Sequence, residues 1–183
     1  MSTLSILAFV FGVAGVWFTI QKSIWCWPFA LVSVLTSSVE FYQQKLFGDM
    51  SLQAFYFAAG IYGWYYWKRK QKEPFYVQAT PKRLWMGLML ITALQSLLYY
   101  FLLKQLKGDQ VLFDAILTAG SLTATYMMTK RWIENWMAWV VIDLAYVALY
   151  AIKSMWLFAV LYFVFAGMAW FGWKQWKAET LKK

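Results

Sequence analysis

The sequence predicts an all-α integral membrane protein of about seven spanning helices, and three observations carry that expectation. Of the 183 residues, 62% are hydrophobic and only 14% are charged, far more apolar than the soluble average. The apolar residues gather into seven runs, each close to the roughly 20 residues a helix needs to cross a hydrocarbon core. The runs are apolar on all sides, whereas barrel strands would be about 10 residues of alternating polarity, so helices are the way to satisfy the backbone in lipid.

Taken in order, the spans lie near 4–21, 24–42, 50–67, 84–103, 112–129, 133–151 and 154–176. The first, from Leu4 to Ile20, has no positively charged lead and no convincing small-residue cleavage site, so it reads as a retained span and not a signal peptide. The others are bounded by charges or turn residues: Trp27-Pro28 opens the second, and Lys68-Arg69-Lys70 closes the third. Lys82-Arg83 precedes the fourth, Lys130-Arg131 follows the fifth, and Lys174 and Lys177 end the seventh. These joints leave no room for a separate soluble domain.

The formal charge of +9 sits in those joints, where Lys and Arg set orientation, so no nucleic-acid partner is expected. Thirteen of the 17 basic residues fall in one alternate set: Lys22, the 68–83 cluster, Lys130 with Arg131, and the C-terminal lysines. The other set holds Lys45, Lys104, Lys107 and Lys153. The positive-inside bias therefore places the N-terminus outside and the C-terminus in the cytoplasm of a bacterial inner membrane. Cys26 is the only cysteine and histidine is absent, which excludes an intrachain disulfide, His-based metal sites and His acid–base catalysis. No metal, cofactor or catalytic residue is expected. A homo-oligomer stays open.

A weak internal repeat runs through the chain. Trp27, Gly63, Trp64, Trp67 and Lys68 match Trp136, Gly172, Trp173, Trp176 and Lys177, each pair 109 residues apart. Spans 1–3 then map onto spans 5–7, and three is odd, so span 4 acts as a linker that lets both halves run the same way. The expected organisation is a first three-helix repeat at 1–67, a basic loop and linker helix at 68–111, and a second repeat with a basic tail at 112–183. Transporter sites lie near the midplane between such repeats. A competing reading takes Trp64, Trp67, Trp173 and Trp176 as an interfacial aromatic belt.

Ionisable groups inside spans are the most informative positions, because a carboxylate at a helix centre costs about 2.5–3.5 kcal/mol on insertion scales. Asp143 lies near the middle of span 6, and Glu40 towards the end of span 2. Gln95 and Ser96 are central in span 4, Gln53 is near the start of span 3, and Thr118, Ser121 and Thr125 mark one face of span 5. The Ser and Thr residues compete with a blander role as helix glue or bonds back to their own helix. Asn135, Trp136, Trp139, Asp143, Tyr146 and Tyr150 recur every three or four residues, which sets them on one face of span 6. Rings, an anion and an amide on one face suit a planar ligand that is cationic or rich in hydroxyl and amide groups.

These residues carry a resemblance to the PnuC family of bacterial vitamin transporters: Trp27-Pro28, Gly48-Asp49, Leu52-Gln53, Gly63-Trp64 and Trp67 in the first half, then Asp114, Ser121, Asn135-Trp136, Trp139, Asp143, Tyr146, Tyr150, Gly172-Trp173 and Trp176. The resemblance implies a 3+1+3 helix arrangement similar to SWEET sugar transporters, and facilitated diffusion of unphosphorylated nicotinamide riboside with metabolic trapping by a cytoplasmic kinase. It also implies that Trp136 and Trp139 stack near the nicotinamide, that Asn135, Gln53 and Gln95 hydrogen-bond, and that Asp143 meets the ribose or the positive charge. Trp27, Glu40, Tyr56, Thr118, Ser121 and Tyr146 complete the candidate set. Three alternatives stand beside this: another vitamin (thiamine or riboflavin), a sugar of the SWEET type, and a non-transporting receptor or subunit. No Gly-rich nucleotide loop or hydrolase constellation supports an enzyme.

Overall fold

A computed structural model describes residues 3–43, 47–105, 111–152, 154 and 156–180. The basic residues Lys45, Lys107, Lys153, Lys182 and Lys183 lie outside the described residues, as do the side chains of Gly48, Asp49 and Leu52. All seven expected helices are present: α1 (Thr3–Ile20), α2 (Cys26–Gln43), α3 (Phe47–Arg69), α4 (Lys82–Gln105), α5 (Val111–Thr129), α6 (Glu134–Ile152) and α7 (Trp156–Thr180). α7 runs beyond its apolar stretch because Lys174 lies over the Trp170 ring at 5.6 Å and Lys177 over Trp173 at 4.5 Å. Such one-turn pairs extend a helix into the headgroup layer.

Among the described residues, α1, α4, α5 and α6 are long and apolar enough to cross a membrane.

The chain divides into two compact units, Met1–Phe75 and Tyr76–Lys183. In the first, α2 packs against both α1 and α3, around Ile20, Cys26, Trp27, Leu31 and Trp67. In the second, α6 packs against α5 and α7, and α4 packs against α5. Small residues make these approaches close: Ala115, Ala119, Ser121 and Ala124 are buried on α5, and Ala159, Ala166 and Ala169 on α7. Helices in lipid associate by this kind of packing, since apolar side chains gain nothing by leaving lipid for one another. Most large apolar side chains of α4 from Met86 to Leu102 face outward instead, while Leu88 packs with Met127 and Trp132 and Tyr99 is buried.

The α1–α2 and α5–α6 joints share one geometry. Lys22 and Arg131 both have a positive φ, 58° and 62°. Lys22 N donates to Thr19 O and Ser23 N to Phe18 O; Arg131 N donates to Met128 O and Trp132 N to Met127 O. Each is a Schellman cap that turns the chain out of a helix through a left-handed residue. Cys26 N to Ser23 O and Trp27 N to Ile24 O then start α2 as Asn135 N to Trp132 O and Trp136 N to Ile133 O start α6.

The second unit adds a feature of its own. The segment before α4 lies extended along the α5–α6 joint: Gln78 N donates to Arg131 O at 3.1 Å and Ile133 N to Gln78 O at 2.9 Å. Thr80 N and Oγ1 both donate to the Glu134 carboxylate, at 2.9 and 2.8 Å. That carboxylate anchors the start of α4 to the start of α6.

Candidate functional site

The tryptophans at the helix starts are wedges. Trp27 is 1% exposed and meets Trp67 edge to face, with centroids 5.4 Å apart at 90°; Trp136 is 2% exposed and meets Trp176 at 5.3 Å and 90°. Each indole fills the space left by a glycine on the facing helix, Gly63 for Trp27 and Gly172 for Trp136. Neither Nε1 has a hydrogen-bond partner among the described residues. Trp64 is exposed, as the belt reading requires, while Trp67 and Trp176 lie in the core, where that reading fails. An all-round apolar helix gives no moment from which to tell those cases apart.

The α6 face is brought together as its spacing requires. Asn135 is fully enclosed; its Nδ2 donates to Trp132 O, while its Oδ1 has no partner among the described residues. Trp139 is half-buried and packs with Tyr146 against Leu117, Ala124 and Ile142, where α5 meets α6. Asp143 is buried at 5% exposure. Among the described residues its carboxyl meets no hydrogen-bond donor and no cation. Tyr146 stacks on Tyr162 of α7 at 4.6 Å and on Tyr150 at 6.1 Å, and Tyr150 lies 5.4 Å from Tyr162. Tyr162, missing from the sequence reading, belongs to this ring cluster; its only signal was a tyrosine inside span 7.

The remaining candidates take several roles. Thr118 and Ser121 are buried on α5. Ser121 donates to Leu117 O, and Thr125 and Thr129 each donate one turn back, so these hydroxyls are largely satisfied by their own helix. Gln95 on α4 holds an enclosed Oε1 with no partner among the described residues. In the first unit, Glu40 accepts a bond from Ser5 Oγ of α1, while Gln53 and Tyr56 are half-buried on α3.

Among the described residues, seven helices place a buried acid and an unpartnered amide oxygen among aromatic rings, an arrangement suited to a multi-pass membrane transporter. The sequence profile of the nicotinamide mononucleotide transporter family matches residues 2–178, and the chain belongs to that family. It is 26% identical to the nicotinamide riboside transporter PnuC of Escherichia coli K12, over 81% of this chain and 74% of that one. It is also 26% identical to the riboflavin/roseoflavin transporter RibM of Streptomyces davaonensis, over 85% of this chain and 76% of that one. The crystal structure of the vitamin B3 transporter PnuC superposes with a TM-score of 0.79 at 22% identity, covering 98% of this chain and 82% of that one. At that identity the likeness is one of fold.

Proposed function

We propose that the chain carries nicotinamide riboside across the bacterial inner membrane by facilitated diffusion, with metabolic trapping drawing uptake inward. The observation that carries this reading is Asp143, a buried carboxyl in a membrane span whose described surroundings offer it neither donor nor cation. A group so placed is costly in lipid and marks a solute path by default. The pyridinium of the riboside is a planar cation and its ribose supplies hydroxyls, so the ligand provides what the protein leaves out. Trp139, Tyr146 and the Tyr150–Tyr162 cluster offer faces for the ring; Asn135 Oδ1 and Gln95 Oε1 are acceptors for hydroxyl or amide hydrogens.

Phosphorylation separates the family's mononucleotide from the riboside and the flavin carried by the two relatives. Neither α5 nor α6 contains a Lys or Arg, so these two helices give a phosphate beside Asp143 no cation. That favours the unphosphorylated nucleoside. Riboflavin is the second reading, favoured by the RibM relative and by the same rings.

The architecture proposed with this function is 3+1+3 and SWEET-like. It has parallel repeats at 1–67 and 112–183, α4 in the 68–111 linker, the N-terminus outside and the C-terminus in the cytoplasm. Its support is the pair of matching joints and the two Trp–Gly–Trp wedges, 109 residues apart. Calorimetry on the purified protein tests the substrate. It should bind the riboside, fail to bind the mononucleotide, and lose at least tenfold in affinity with Asp143→Asn or Trp139→Ala. Wild-type affinity in both variants would remove the proposed site, and tighter binding of riboflavin would select the second reading.

A further inference from the structure

The two matching joints differ in what covers them. At the α5–α6 joint, Ile133 pairs with Gln78, Glu134 holds Thr80, and Lys177 lies over Trp173. The residues 109 positions earlier are Ile24, Trp25, Lys68 and Trp64. Among the described residues no strand pairs with Ile24, and Lys68 has neither a ring nor a carboxylate. Trp25, standing where the other joint has Glu134, is 60% exposed. Between them lies a groove of about 200 Å³ lined by Ile24, Trp25, Pro28, Trp64, Lys68 and Gln71.

We propose that this groove binds an anionic phospholipid, its phosphate at Lys68 and the start of an acyl chain along Trp25, Pro28 and Trp64. The groove has the chemistry of a headgroup boundary. Two amphipathic rings of the kind favoured at membrane interfaces line it, and the cation beside them has no partner among the described residues. Lys70, which pairs with Glu73 at 3.6 Å, and Lys72 follow just after α3, and with Arg69 they leave a net positive local field that attracts anionic headgroups. The replacement of Glu134 by Trp25 removes a negative charge and adds an apolar wall, which is the change a lipid site needs. The leaflet, though not the site, rests on the orientation proposed above.

Thermal unfolding of the purified full-length chain in detergent, with added phosphatidylglycerol or phosphatidylcholine of equal chain length, tests this. Phosphatidylglycerol should raise the midpoint above that in phosphatidylcholine, by about 5–10 °C at a hundredfold excess over Kd. Lys68→Gln and Trp25→Glu should each remove at least half of that increment, while Lys177→Gln keeps it. A full increment in either groove variant, or an equal loss in Lys177→Gln, would overturn the proposal. Should a groove variant also unfold earlier in phosphatidylcholine, native mass spectrometry decides: the wild-type number of retained phosphatidylglycerol molecules in Lys68→Gln refutes the site. Riboside affinity measured in phosphatidylcholine should be unchanged in Trp25→Glu, so failure of the transport reading and of the lipid site are told apart.

Discussion

Placing a methyl group on Gly63 is the sharpest test of how the helices of the first unit are locked. An alanine Cβ there would stand 2.1 Å from Trp27 Cη2, 2.4 Å from Cζ3 and 2.5 Å from Cζ2. Non-bonded carbons rest about 3.5–4.0 Å apart, so the indole must retreat by about 1.5 Å. It has nowhere to go, being 1% exposed and held by the edge contact with Trp67. Overpacking a dense site costs about 1–3 kcal/mol and occasionally more, and a displacement this large sets Gly63→Ala at the top of that range. At Gly172 the same Cβ would lie 2.8 Å from three atoms of Trp136, a retreat of roughly 1 Å and a smaller cost. At Gly60 the nearest atom is Leu31 Cδ2 at 2.9 Å, the free end of a flexible side chain, and a rotamer adjustment costs about 1 kcal/mol. Gly87 and Gly167 meet nothing within 4 Å, and alanine favours helix by about 1 kcal/mol.

Thermal unfolding in detergent reads the series, at about 2–4 °C per kcal/mol for a chain of this length. Gly63→Ala should lose roughly 6–12 °C, Gly172→Ala less and Gly60→Ala little, while Gly87→Ala and Gly167→Ala stay level or rise. Wild-type stability in Gly63→Ala, or a greater loss in Gly60→Ala, would refute the wedge.

Glu134→Ala should cost about 1.5–3 kcal/mol, the worth of a hydrogen bond to a charged group. Its signature is faster amide exchange at 76–80 with α1–α3 unchanged. Ser154 ends α6 with a φ of 56°, so Ser154→Gly should stabilise by about 1 kcal/mol and Ser154→Val should destabilise, read as shifts in the unfolding midpoint.

The helices were legible because lipid demands long apolar runs, and each run in the sequence became a helix. The 109-residue offset was fainter, since with 13 Trp and 10 Gly in the chain such matches can arise by chance. The caps were not legible: a left-handed residue is usually Gly, and nothing in Lys22 or Arg131 announces a positive φ. The Thr80–Glu134 anchor escaped because its partners are 54 residues apart and a glutamate opening a helix reads as a dipole partner. At the site, Asp143 stood out through its charge within a span. The ring roles did not, because spacing puts Trp136 and Trp139 on one face without showing that Trp176 covers the first while the second stays half-open.

That difference bears on which rings touch a passenger. The resemblance sets Trp136 beside the nicotinamide, yet its ring is enclosed by Trp176 and Gly172, and its Nε1 is buried without a partner among the described residues. An unmet indole N–H costs about 1–3 kcal/mol, so a ring kept there despite it is kept for its shape. Trp136→Phe then exchanges lost area for a relieved N–H and should stay within about 1 kcal/mol of wild type, whereas Trp136→Ala should lose about 3–5 kcal/mol. Riboside affinity should follow the same split, unchanged in Trp136→Phe while Trp139→Ala loses at least tenfold. If Trp136→Phe instead weakens riboside binding with the unfolding midpoint intact, the N–H points to the solute and Trp136 is a contact residue, leaving the wedge to Trp27 alone.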